Sequence, residues 1–137
     1  MAFEFETIVR AGDTDVTGSI YTPQVVDWLA RGLHDIRSAA GYSYGAYEEM
    51  GIASAAVNVN VDYLAPIRME DTVTVAMTPD VGETSIRFDS TGTVEDTRVF
   101  QGSITLAFID AETRDAVRIP DDLRAAFETF AADTTTD

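Results

Sequence analysis

Only one stretch of this chain carries a long helical pattern, and four strand-like stretches follow it in series. Between Pro23 and about Ala40, Val25, Val26, Leu29, Leu33 and Ile36 fall in one narrow stripe at helical spacing. Asp27, Arg31, His34 and Ser38 lie opposite. Thr22 stands where an N-cap is expected, Pro23 at the first helical position and Gly41 at the end. At about 1.5 Å per residue such a helix runs on the order of 27 Å, enough to cross a small sheet.

Residues 3–10 alternate as a half-buried strand, with Phe3, Phe5, Thr7 and Val9 on one side. The linker GYSYGAYEEMG, 41–51, has room for a short helical turn. Strands are then expected over roughly 52–64, 72–78, 84–95 and 98–109. In the first, Val57, Val59, Val61 and Tyr63 alternate with Asn58, Asn60 and Asp62; in the last, Phe100, Ile104, Leu106 and Phe108 share a face. Ala65-Pro66, Pro79-Asp80 with Gly82, and Glu95-Asp96 supply the turns. After Pro120, Asp121 is placed to cap a short helix carrying Leu123, Phe127 and Phe130, and 131–137 reads as a frayed tail. With no repeat or linker, the whole of 1–137 reads as a single domain. The expected fold is α+β, one five-stranded antiparallel sheet wrapped around helix 23–40, because no other helix is long enough to cover it.

Charge narrows the partners. Asp and Glu number 24 against nine basic residues, all Arg, for a net charge of −15. A surface without a basic stripe repels nucleic acid. Its 45% apolar content and clean periodicities argue against disorder. A chain adapted to molar salt is the better reading, since at roughly 1 M salt the Debye length is only about 3 Å. No apolar run is long enough for a bilayer span, and no basic-then-apolar leader opens the chain, so no membrane partner and a cytoplasmic location are expected. Cys is absent and His34 is the single histidine, so neither thiolate chemistry nor a metal site is expected.

The segment AGDTDVTGSIYTPQVVDW, 11–28, carries the chemistry. Asp13 and Asp15 sit in a turn that closes with Gly18, just before Tyr21, Thr22, Pro23 and the helix. A carboxylate there can attack an acyl group or activate water, while free N–H groups at the helix start receive an oxyanion. By its residue types alone, Asp15 reads first as a cap of the turn, as Asp does in Gly-bearing loops; its position before a long helix points to chemistry instead.

Three segments resemble the hotdog-fold acyl-CoA thioesterases of the 4-hydroxybenzoyl-CoA thioesterase type: GDTDVTGSIYTP (12–23), VDYLAPIRMEDTV (61–73) and SITLAFID (103–110). The resemblance extends over about residues 3–130 and implies hydrolysis of an acyl-CoA thioester. It implies that Asp15 is the catalytic carboxylate and that the Thr22 backbone N–H polarises the thioester carbonyl. Asp13 becomes the structural acid of the turn and Tyr21 lines the site. Gly18 and Pro23 complete the set of residues around the substrate. Many relatives carry His at the position of Thr22 and an acid at that of Ala30, so the mechanism implied here is Asp plus backbone. No cofactor is implied, since CoA belongs to the substrate. A homodimer or homotetramer is expected, because an isolated sheet leaves edges exposed.

Asn58 and Asn60 point away from the core and are candidates for a subunit boundary or a neighbouring substrate site. Tyr42, Tyr44 and Tyr47 read as loop packing. Arg68, Arg87 and Arg98 could hold CoA phosphates but read first as ion-pair partners. His34, on the polar stripe, reads as solvated or at an interface, which counts against a hotdog dehydratase or hydratase. A non-catalytic acyl-CoA or metabolite-binding hotdog protein is the alternative from another class.

Overall fold

A computed structural model describes residues 2–131; of the expected tail, 132–137 lie outside the described residues. Strand β1 (Phe3–Ile8) leads through a 3-10 turn at Ala11–Asp13 to helix α1 (Gln24–Ala39). Helix α2 (Tyr44–Met50) and strands β2 (Ile52–Tyr63), β3 (Thr72–Val81), β4 (Ser85–Val94) and β5 (Thr97–Asp110) follow, and α3 (Asp121–Glu128) is the last element among the described residues. All pairings are antiparallel, in the order β1-β3-β4-β5-β2. The expected five-stranded sheet covered by one long helix is therefore present.

One face of the sheet is the core. Val73, Val75 and Met77 of β3, Ile86 and Phe88 of β4, and Phe100, Ile104 and Phe108 of β5 are buried. Helix α1 meets them through Val25, Trp28, Leu29, Gly32 and Ile36. That stripe is rotated from the expected one: Trp28 and Gly32 face the sheet, while Val26 and Leu33 are only half-buried. Gly32 explains the rotation. A Cβ there would lie 2.4 Å from Met77 Sδ and 2.8 Å from the Phe5 ring, so only glycine allows this approach of helix to sheet. Helix α3 covers the rest through Leu123 and Phe127, the latter edge-on to Phe88 at 5.8 Å.

Several expectations are corrected. Helix α1 starts at Gln24, with Pro23 as an N-cap that makes no side-chain bond, so Thr22 does not cap it. Pro120, not Asp121, is the N-cap of α3; Asp121 lies in the first turn and pairs with Arg118 at 2.6 Å. Strand β3 runs through Pro79 to Val81 instead of turning there. Among the described residues β1 pairs only as far as Met77, so none of them faces Pro79 from that side of the strand. The linker forms a full helix because Ser43 Oγ accepts the Ala46 N–H at 3.1 Å and Gly51, at φ 70°, closes it. Val57 is not a core residue. A bulge between Ala56 and Asn58 leaves it 62% exposed.

Candidate active site

The turn between β1 and α1 is pinned at both ends. The Asp13 carboxylate accepts the Arg10 N–H at 3.0 Å, and its carbonyl accepts the Tyr21 N–H at 2.8 Å. Within the turn, the Asp15 N–H donates to the Ser19 carbonyl at 2.8 Å and the Gly18 N–H returns to the Asp15 carbonyl at 3.2 Å. Gly18 adopts φ 81°, a left-handed conformation that glycine takes without steric cost. Ile20 N–H to Ile67 carbonyl (2.9 Å) and Met69 N–H to Gly18 carbonyl (3.2 Å) dock the turn on the segment before β3.

Asp15 is exposed, and its two oxygens differ. Oδ1 accepts the Thr17 hydroxyl at 2.5 Å and the Thr17 N–H at 2.8 Å. Oδ2 has no hydrogen-bond partner among the described residues. The hydroxyl, then the N–H, of Thr17 hold the carboxyl below the ordinary aspartate value. Asp15 thus both caps its turn and keeps one oxygen free for chemistry. It borders an open concavity of about 580 Å³ with Ala11, Gly12, Thr14, Val16 and Tyr21.

The head of α1 follows directly. The Tyr21 carbonyl accepts the Gln24 N–H at 2.8 Å, turning the chain into the helix. The Thr22 N–H meets no acceptor among the described residues. The Thr22 carbonyl accepts the hydroxyl of Tyr63, the last residue of β2. Burial pushes the Tyr63 phenol up, so it stays a donor.

The six residues Asp13, Asp15, Gly18, Tyr21, Thr22 and Pro23 therefore share one turn. Asn58 and Asn60 do not join them within one chain. They lie on the opposite face of the sheet from Tyr63, where the Asn60 amide bonds Ser103 Oγ at 2.8 Å and Asn58 Oδ1 at 3.2 Å. Arg87 is committed to Asp80 and Asp89, both at 2.9 Å, whereas Arg68 and Arg98 have no carboxylate within 4.0 Å among the described residues. Tyr47 is buried edge-on to Phe108 at 6.0 Å, and Tyr44 is exposed. Among the described residues no group of three or more His, Cys, Asp or Glu could hold a metal ion, and no helix is long and apolar enough to cross a membrane.

Two further residues of the site, Thr17 and Tyr63, are not marked out by the motif itself. For Thr17 the signal was present: a hydroxyl two residues after an Asp in a turn is a natural partner for that carboxylate. For Tyr63 the alternation indicated only a core-facing ring.

A family model described as the thioesterase-like superfamily matches residues 9–127. The 1,4-dihydroxy-2-naphthoyl-CoA hydrolase of Synechococcus is 24% identical over 125 residues, covering 86% of this chain and 84% of its own. A 1,4-dihydroxy-2-naphthoyl-CoA thioesterase structure from Synechocystis superposes with a TM-score of 0.84 at 19% identity, over 93% of this chain and 96% of that one. A Staphylococcus aureus protein solved in complex with CoA gives 0.89 at 15% identity, over 100% and 90%.

Proposed function

This chain belongs to the thioesterase-like superfamily, and from that premise we propose that it hydrolyses an acyl-CoA thioester to the free acid and CoA. The observation that carries the reading is the pairing of an ionised carboxylate, one oxygen free, with an unpartnered N–H at the head of the longest helix. The S. aureus neighbour with bound CoA supports the substrate class.

In this reading the thioester carbonyl lies against the turn, its oxygen on the Thr22 N–H. Asp15 Oδ2 attacks the carbonyl carbon and the oxyanion forms on that donor. The C–S bond then breaks, CoA leaves as the thiolate and takes a proton from solvent, and water hydrolyses the mixed anhydride to restore the carboxylate. The alternative, Asp15 as general base for direct attack by water, asks for proton affinity, and the Thr17 bonds lower it. The same bonds lower its nucleophilicity as well, so they favour neither route. An oxyanion donor of this kind supplies on the order of 10²–10³ in rate.

The assembly we propose is a dimer through β2. Strand β2 is an edge of twelve residues, every one from Ser54 to Asn60 exposed, with Val57 at 62% and Val59 at 39%. The other edge, β1, has six residues and carries Glu4 and Glu6. A long unpaired edge with apolar side chains invites a second strand.

Free-thiol release from a panel of CoA thioesters, followed in molar KCl, tests the reading. Asp15→Asn is expected to lower turnover by on the order of 10³ with fold and assembly kept. Asp13→Asn, whose carboxylate serves Arg10, acts mainly on stability. No thiol release from any member of the panel, with retained binding, would make this a binding protein instead.

A further inference from the structure

Far along α1 from the acid turn, a second concave region is bordered by a half-buried arginine, Arg37. A cavity of about 180 Å³ is walled by Leu33, Phe88, Leu106 and Phe127 and ends on His34 and Arg37. It shares Arg37, Tyr47 and Ser54 with an adjoining cleft of about 620 Å³. Arg37 is fifteen positions beyond Thr22, about 20 Å along the axis at about 1.5 Å per residue, so the two regions share no groups.

Arg37 is incompletely satisfied. Its Nε is buried and without a hydrogen-bond partner among the described residues. Its Nη2 lies 3.0 Å from His34 Nδ1, and its guanidinium carbon sits 5.7 Å from the Tyr47 ring centroid. A guanidinium stays charged at any physiological pH and donates only, so His34 Nδ1 is the acceptor in this contact. Glu48 lines the adjoining cleft, yet no carboxylate oxygen among the described residues comes within 4.0 Å of Arg37. Arg31, Arg87 and Arg118, by contrast, each pair with Asp. In a chain with 24 acids, a half-buried guanidinium with a buried, unpartnered Nε and no carboxylate beside it, at the end of a cavity walled partly by apolar side chains, is suited to an anion.

We propose that this cavity binds a small aryl carboxylate, its ring between Leu33, Phe88, Leu106 and Phe127 and its carboxylate on Arg37. The size supports a ring, since an apolar cavity of about 150 Å³ takes up benzene. The charge supports a carboxylate, whose planar pair of oxygens matches the guanidinium fork. The Tyr47 ring, under the guanidinium carbon, and His34, at Nη2, hold the fork in place. Ser54 offers a further hydroxyl at the junction with the cleft.

Calorimetric titration of the full chain with benzoate, and in parallel with benzamide at the same ionic strength, tests this. Benzoate is expected to bind at least about tenfold more tightly than its neutral isostere, a difference of about 1.4 kcal/mol. Arg37→Gln is expected to bring benzoate down to the benzamide level. Ala30→Phe fills the same cavity from an exposed helix position and is expected to block both ligands, which keeps the test decisive should Arg37→Gln fail to fold. Equal binding of the two probes, binding of neither, or unchanged benzoate affinity in both variants would overturn the proposal. So would dissociation of a dimer by Arg37→Gln, which would give the cation a carboxylate from a second copy of the chain.

Discussion

The phenol of Tyr63, at the end of β2, donates to the Thr22 carbonyl at the head of α1. This bond ties the proposed dimer strand to the peptide that turns into the helix. It holds the Thr22 backbone in place while leaving the Thr22 N–H without an acceptor among the described residues.

Tyr63 is accordingly a positioning residue. Removing one such bond costs about 0.5–1.5 kcal/mol, so Tyr63→Phe is expected to lower kcat by up to about tenfold. KM should change less, because the ring and its packing remain. Steady-state kinetics that separate kcat from KM check this; an equal rise in KM with kcat untouched would assign Tyr63 to binding. Thr22→Ala, whose side chain caps nothing, is expected to be mild in both.

The pH dependence follows from Thr17. Its hydroxyl and N–H favour the ionised form of Asp15, so the folded pKa lies below the ordinary value of 3.8. A depressed folded pKa contributes stability that is present above the unfolded pKa and lost as pH falls through the folded one. Thr113 and Glu112 N–H groups act likewise on Asp110, and Arg118 on Asp121. The acid limb of kcat/KM should therefore lie below the usual aspartate range, and Thr17→Val should move it upward. A pH–rate profile unmoved by Thr17→Val would mean that Asp15 ionisation does not control the rate.

Two glycines should respond oppositely to alanine. At Gly32 the added methyl meets Met77 and Phe5 at distances no real Cβ shows. Overpacking of about 1–3 kcal/mol exceeds the helix-propensity gain of about 1 kcal/mol, so Gly32→Ala should lower the melting temperature. At Gly45 in α2 the nearest atom is Ser43 Oγ at 3.7 Å, an ordinary contact, so the propensity gain stands alone and Gly45→Ala should raise it. Thermal unfolding of both variants checks the pair.

Salt should stabilise the protein. Only three arginines form ion pairs with carboxylates among the described residues, so most of the 24 acids face water and one another. Their repulsion reaches about 10 Å at 0.1 M salt and about 3 Å at 1 M. Melting temperature and dimer content are expected to rise together from about 0.1 M toward about 2 M KCl. A melting temperature flat or falling across that series would rule out adaptation to high salt.

By itself the sequence determined the order of elements, the antiparallel sheet and the placing of Asp13, Asp15 and Thr22 in one turn before the long helix. These are properties of neighbouring residues: alternation, helical spacing and turn chemistry act over a few positions, so a string of letters carries them. Tertiary structure alone decided which side of α1 meets the sheet, because the close approach of Gly32 to Phe5 and Met77 depends on residues from three elements. It alone showed β3 running on through Pro79, beyond the pairings that the described residues of β1 make. It brought Tyr63 to Thr22 and left Arg37 beside an apolar cavity, both across separations that no local pattern spans. Where a side chain's partner lies far away in sequence, packing and not periodicity assigns its role.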